Sequence, residues 1–443
     1  MSKRGVSSSG RSGALASAAY TSPLAEQLAE DVLERFLRYV RIDTQSAFDS
    51  DSYPSTPKQL DLSRVLVEEL REAGLEDAEL TEHGYVFATL PGTVEAPVVG
   101  LNAHVDTSPD APGANVQPQV VRGYEGGPIV LPGDRSRVLD PDELPALAAR
   151  VGHDLVTSDG TTLLGADDKA GIAEVVAAVA HLARQEGPRA PVRVAFTVDE
   201  EVAGGTTYFD LEQFGADVAY TLDGSGLGEL ELETFSALAA TVTIRGHSVH
   251  PGTAKGLLVN SLKLAADLVA ALPRDRLSPE TTAGREGFVH PTRIAGTAER
   301  TMVDFILRDH DEERLEQHRE LLRDLVDEVA KREPRAQVTV EFTHQYSNMR
   351  NVIDRFPRVV AAAEEAMRRV GVEPRRGIIR GGTDGARMAE MGLPTPNIFT
   401  GGQNYHSVAE WASVQDMAAA AATIVELVRV WAEPEPSERQ RGD

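Results

Sequence analysis

Five short segments of this chain place histidine or carboxylate side chains directly after apolar, strand-like runs. They are Asn102-Ala103-His104-Val105-Asp106, Gly165-Ala166-Asp167-Asp168-Lys169, Asp199-Glu200-Glu201, Leu222-Asp223-Gly224 and Asn404-Tyr405-His406. Polar groups at successive strand exits call for a shared crevice. Open α/β sheets gather their ligands in such a crevice, at the carboxyl ends of the strands.

The spacing between the segments agrees with that fold. Leu28, Val32, Phe36 and Val40 recur at helical spacing over 24–43, and 55–57 opens a second helix that Gly74 closes. Short apolar runs at 85–90 and 97–101 read as strands. Val-Arg-Val-Ala-Phe-Thr-Val at 192–198 and the run at 218–222 read as buried strands, with a helix at 171–185 before them. This strand–helix alternation predicts α/β architecture. Between them, 108–159 is Pro- and Gly-rich and predicts a long functional loop. From about 234 to 342 the rhythm changes to strands at 229–245, 302–308 and 337–342 with helices at 259–272 and 311–331. That stretch predicts an inserted smaller α+β domain. The α/β pattern returns with a helix at 356–370, a strand at 396–399 and a closing helix at 414–431. The expected division is therefore a tail at 1–23, a main domain from 24–233 and 343–432, an insert at 234–342, and a second tail at 433–443.

Composition removes several function classes. With 69 acidic against 44 basic residues, the net charge of -25 argues against nucleic acid and anionic membrane as partners. The absence of cysteine excludes disulfides, thiol catalysis and Cys-held zinc. No apolar run approaches the roughly 20 residues of a membrane span. The first tail has no continuous apolar stretch, so it reads as a disordered tail of a cytoplasmic protein rather than a signal peptide.

Each acidic or histidine segment has a chemical and a plain reading. His104 and Asp106 share one face of an extended segment. His104 could bind metal while Asp106 accepts a hydrogen bond from its other ring nitrogen, or the pair forms an Asx-type turn. Asp167 could give one oxygen to each of two ions, or it caps the helix that follows. Glu200 and Glu201 allow one carboxylate on metal and one free as general base, or they form a surface turn. Asp223 before Gly224 also suits a simple turn, and His406 a packed histidine. The combined order His, Asp, Glu, Asp, His favours a two-zinc centre, because imidazole and carboxylate suit zinc. Away from that set, Arg380 on the Gly-rich loop Ile379-Arg380-Gly381-Gly382 suits bidentate capture of a carboxylate or a structural salt bridge. His250 follows Ser248-Val249, and Asn348 follows an aromatic turn at Tyr346.

Six stretches carry a family resemblance. They are 102–107, 163–171, 199–202, His250-Pro251-Gly252-Thr253-Ala254-Lys255-Gly256, Arg380-Gly381-Gly382-Thr383-Asp384-Gly385 and 404–406. Over about 24–431 the chain resembles the peptidase T branch, the tripeptide aminopeptidases, of the co-catalytic di-zinc peptidase family. The resemblance implies a catalytic domain with a mixed central sheet flanked by helices, plus an inserted α+β lid domain. It implies two zinc ions per subunit: one on His104 and Asp223, one on Glu201 and His406, bridged by Asp167. Glu200 would be the general base and Asp106 would orient His104. A cis peptide is implied between Asp167 and Asp168. His250 would stabilise the tetrahedral intermediate, and Arg380 with Asn348 would grip the terminal carboxylate of a short peptide. The insert would either pair two copies into a homodimer or close over the site. Two other readings stand beside this one: a di-zinc N-acyl amino-acid or dipeptide hydrolase, and a non-catalytic metal-stabilised binding protein.

Overall fold

The computed structural model describes residues 20–434. The expected tails lie outside those residues except for 20–23 and 433–434. The architecture is α/β, with a mixed central sheet flanked by helices and an inserted α+β unit.

The central sheet has eight strands. Its middle is a parallel set in the order Val192–Thr197, Val99–His104, Val218–Gly224 and Asn397–Phe399. Parallel strands covered on both faces must be apolar throughout, and Val99, Leu101, Ala103, Val192, Val194 and Phe196 are all buried. Val86–Leu90 and Glu79–Leu80 extend one side antiparallel. On the other side Glu229–Glu231 pairs antiparallel with Asn397–Phe399 and parallel with Arg375–Gly377. Pro23–Tyr39, Ala166–Arg184 and Val414–Trp431 form a helical layer on the sheet. At Gly171 a Cβ would lie 1.9 Å from Leu222 O, so glycine lets the Ala166–Arg184 helix press directly on the strand that carries Asp223.

The insert leaves after Glu229–Glu231 and returns before Arg375–Gly377, two neighbouring strands, so both connections use one edge of the central sheet. It is a four-stranded antiparallel sheet in the order Phe288–Gly296, Arg300–Asp309, Ser236–Arg245, Gln337–Tyr346. Helices Ser261–Ala270 and Glu312–Arg332 cover one face. Its core of Val242, Ile244, Leu268, Val303, Phe305, Leu322 and Val326 is separate from the main one.

Three local expectations are corrected. Residues 108–159 are not a structureless loop: Leu155–Thr157 pairs with Gln119–Val121 and Trp411–Ser413 in a second four-stranded sheet. A small core of Leu131, Leu139, Leu147, Leu155 and Trp411 supports it. Phe288–Gly296 is a strand that the sequence pattern concealed, because it carries Pro291 and a register shift there on a sheet edge. Asp167 does not follow a strand of the central sheet; it sits at the start of the Ala166–Arg184 helix, where the backbone departs from helical angles. Among the described residues no helix is long and apolar enough to cross a membrane.

Candidate metal and peptide site

The carboxyl ends of three adjacent parallel strands set the floor of the site. His104 is the last residue of its strand. Glu200 and Glu201 lie in the short turn after Val192–Thr197, and Asp223 is the penultimate residue of Val218–Gly224. Asp167 reaches in from the helix start across a cis Asp167–Asp168 peptide, as the resemblance implied. His406 arrives on the turn after Gly402–Gln403. Asn404 and His406 both hold left-handed backbone (φ 58° and 60°), a conformation that costs energy outside glycine and tends to mark functional turns. Tyr405 ties that turn to the Asp223 strand by donating to Gly224 O at 2.9 Å.

The side chains converge on two imidazoles. His104 Nε2 lies 3.0 Å from Asp167 Oδ1, 3.7 Å from Asp223 and 4.0 Å from Glu200. His406 Nε2 lies 2.9 Å from Glu201 and 3.3 Å from Asp167 Oδ2. Asp167 thus meets one histidine with each oxygen. Ligand atoms of His104, Asp167 and Glu201, and of His104, Asp168 and Asp223, fall within 4.8 Å of one another. This grouping could hold metal, and the polar bookkeeping fits a cation. Glu201 Oε1 and Asp168 Oδ1 are buried with no hydrogen-bond partner, a costly arrangement that an ion would relieve. Burial and then the Asp167 charge push Glu201 up to about 8 and Asp223 up to about 6. Burial alone would lower His104, but hydrogen bonds to Asp106, Asp167 and Asp223 outweigh it and hold the imidazole well above its ordinary value.

Behind these groups stands a supporting layer. His104 Nδ1 contacts Asp106, 3.1 Å to its backbone oxygen and 3.3 Å to Oδ1. The Asp106 carboxylate also accepts from the N–H groups of Glu200 (3.0 Å) and Glu201 (3.2 Å), fixing the turn that presents both. Sequence reasoning missed three members of this layer. Asp110 lies 3.2 Å from His406 Nδ1 and serves that ring as Asp106 serves His104. Asp199 accepts from Ser55 and Gln59 and pins the 53–59 segment beside the site. Glu410 is fully buried and accepts from the N–H groups of Leu164 and Gly165 (2.7 Å each) and Asp167 (3.0 Å). Glu410→Ala is expected to lower stability by about 3 kcal/mol, read by denaturant unfolding, because three buried N–H groups lose their acceptor. Unchanged stability would show that the Asp167 approach holds itself.

The site opens into a cleft of about 670 Å³ between the central sheet and the insert. Its floor carries Asp167, Glu200, Glu201, Asp223, Glu231 and Asp384; its other walls carry Arg308, Arg380 and Arg387 with Phe288, Ile306 and Tyr346. Two expected substrate residues stand elsewhere. His250 is exposed outside this lining, its Nδ1 accepting from Gly252 N at 3.1 Å. Asn348 is buried, with its amide occupied by His310 O, Thr234 N and Arg350 N. Arg380 does face the cleft, but its terminal nitrogens bind the 282–286 turn.

The pattern that defines Peptidase family M20/M25/M40 matches residues 152–430. A Peptidase T of Exiguobacterium sp. (strain ATCC BAA-1283 / AT1b) is 49% identical over 404 residues, covering 90% of this chain and 98% of that one. The fold is shared with the aminopeptidase PepT of Bacillus cereus ATCC 10987, at a TM-score of 0.70 and 22% identity over 91% of this chain and 99% of that one. It is shared equally with a tripeptidase of Staphylococcus aureus subsp. aureus mu50, at a TM-score of 0.71 and 22% identity over 91% and 98%.

Proposed function

Because the chain belongs to peptidase family M20/M25/M40, we propose that it is an aminopeptidase that releases the N-terminal residue from tripeptides. The observation that carries the reading is Asp167 set between His104 and His406, with Glu200 beside them at the floor of a peptide-sized cleft. In this reading His104 and Asp223 would hold one ion and Glu201 and His406 the other, with Asp167 serving both; the donor set suits zinc. When bound, the ions supply Lewis acidity that polarises the scissile carbonyl and acidifies the attacking water.

The remaining steps belong to the chain's own groups. Glu200 has no side-chain hydrogen bond among the described residues, and burial raises its proton affinity well above the ordinary carboxylate range. It takes the proton of the attacking water and returns it to the leaving amine nitrogen. The carboxylates of Glu231 and Asp384 line the cleft, and among the described residues no Lys or Arg nitrogen lies within 4.0 Å of them, a setting suited to the ammonium of a free N-terminus. The opposite end of a short peptide meets the arginines of the cleft walls. The insert contributes Phe288, Ile306, Arg308 and Tyr346 to those walls, in keeping with a lid. A cytoplasmic setting and pairing of two copies through the insert belong to the same proposal.

The test is the metal-loaded protein on one tripeptide beside its dipeptide, tetrapeptide and N-acetylated counterparts, with products read by mass. Release of the N-terminal residue from the free tripeptide alone is expected. Cleavage of the acetylated or dipeptide form instead would move the protein to the deacylase or dipeptidase reading.

A further inference from the structure

Two carboxylates of the cleft are left over once the proposed ligands and base are assigned, Glu231 and Asp384. Asp384 is taken up by the protein itself. It is buried in the first turn of the Asp384–Glu390 helix, and its Oδ2 accepts from Thr197 Oγ1 at 2.5 Å. Its Oδ1 is covered by backbone, since a Cβ at Gly205 would lie 2.1 Å from that oxygen. One oxygen is held and the other is walled off.

Glu231 is placed differently. It ends the Glu229–Glu231 strand, next to Asn397–Phe399, which in turn neighbours the strand that carries Asp223. The Asn397 amide spans that gap. Its Oδ1 accepts from Asp223 N at 3.0 Å, and its Nδ2 donates to Glu231 Oε2 at 2.7 Å. On the other side a Cβ at Gly377 would lie 3.0 Å from Glu231 Cγ, so glycine there leaves room for the stem. Glu231 Oε1 has no hydrogen-bond partner among the described residues, and no Lys, Arg or His nitrogen lies within 4.0 Å of either oxygen. The charges around it have its own sign. Burial first, then Glu229 and Asp223, push its carboxyl up to about 8, and only the Asn397 hydrogen bond opposes them. A half-buried carboxylate with one oxygen fixed and the other free in the cleft carries a cost that a cation would remove.

We propose that Glu231, oriented by Asn397, is the receptor for the substrate's free N-terminal ammonium, whereas Asp384 serves the protein's own 197–205 segment. This rests on the aminopeptidase reading and names the group that selects its substrate. In a peptide the ammonium nitrogen and the scissile carbonyl carbon are about 2.5 Å apart, across one Cα. The receptor must therefore stand beside the proposed metal ligands, and Glu231 is joined to Asp223 through a single side chain. An ammonium brings charge and three donors to the free oxygen, whereas an acylated nitrogen brings one donor and no charge. The choice between free and blocked N-termini is thereby made by the strand pair beyond Asp223 and not by the metal ligands.

The experiment measures kcat and KM for trialanine and for propionyl-dialanine, its analogue with hydrogen in place of the ammonium. The proteins are metal-loaded wild type, Glu231→Gln, Glu231→Asp and Asp384→Asn, each with its metal content measured. Inhibition by alanine and by propionate gives a second readout without turnover. Wild type is expected to prefer trialanine in kcat/KM by about 10- to 100-fold, the range for a hydrogen bond between charged groups. Glu231→Gln is nearly isosteric and can still accept from Asn397. It should lose the preference through the KM of trialanine, with inhibition by alanine weakened in parallel. Glu231→Asp keeps the charge on a shorter stem and should restore part of the preference; it also serves if the Gln variant does not fold. Asp384→Asn should keep the wild-type ratio. The proposal is overturned if the Glu231 variants retain that ratio, if Asp384→Asn alone abolishes it, or if wild type shows no preference. Failure of the aminopeptidase reading looks different: wild type would then leave trialanine uncut, whether or not it cuts the propionyl form.

Discussion

Replacing Glu200 with Gln is expected to lower kcat by about 10²- to 10⁴-fold, the usual contribution of a positioned general base, while metal content stays at the wild-type level. The substitution is close to isosteric. The backbone N–H of residue 200 would still donate to Asp106 Oδ1, now at 3.0 Å, because that contact does not involve the side chain. The carboxylate of Glu200 makes no hydrogen bond among the described residues, and the basic group beside it is His104, with Nε2 at 4.0 Å. Removing its charge therefore leaves the proposed ligands in place and takes away only a proton acceptor. Burial already favours the protonated form of Glu200, with the His104 charge opposing and Asp223, Asp384 and Glu201 adding to it, which suits a group that must hold a proton midway through turnover. The measurement is single-substrate kinetics alongside elemental analysis. Wild-type turnover from a fully loaded Gln variant would sink the mechanism.

Asp167→Asn is expected to be as damaging for a different reason, by emptying the site. Asp167 offers Oδ1 toward His104 (3.0 Å) and Oδ2 toward His406 (3.3 Å), so a single side chain serves both halves of the cluster. Asparagine keeps the shape but removes the charge and turns one of those oxygens into a donor. Affinity should fall for both ions, by more than the roughly 10- to 100-fold seen when only a supporting residue is lost. Elemental analysis after dialysis should find metal approaching zero per chain, and activity should follow. Two ions retained per chain would remove Asp167 from its proposed place between them.

How far the sequence could be read depended on whether the signal was local. His104, Glu200, Glu201 and Asp223 were legible because each ends an apolar strand, and a carboxylate or imidazole there breaks the pattern that burial imposes. Asp167 was legible both as a ligand and as the start of a helix; what misled was the apolar run before it, which is not a strand of the central sheet. Glu410 gave no signal: a single acid between Ala409 and Trp411 matters only because folding brings three N–H groups of the 164–167 segment to it. Asp110 was equally hidden, its partner His406 lying 296 residues away. Among elements, Leu155–Thr157 and Trp411–Ser413 are three residues each, too short for a period of two to show, and they pair across a long sequence gap. Arg380 shows the opposite limit: the glycine-rich loop drew attention to it, but its terminal nitrogens are taken by the 282–286 turn.

The two imidazoles also have a meaning in time. His104 lies on an early strand, while His406 and Glu410 come just before the closing helix Val414–Trp431. At a synthesis rate of about 5–20 residues per second, the second imidazole emerges about 15–60 s after the first. On the ligand assignment proposed here, a nascent chain carries the base and four of the five metal ligands but cannot complete the centre. If that assignment holds, peptide cleavage would wait for the end of translation, and a chain broken off before residue 406 would lack the second imidazole.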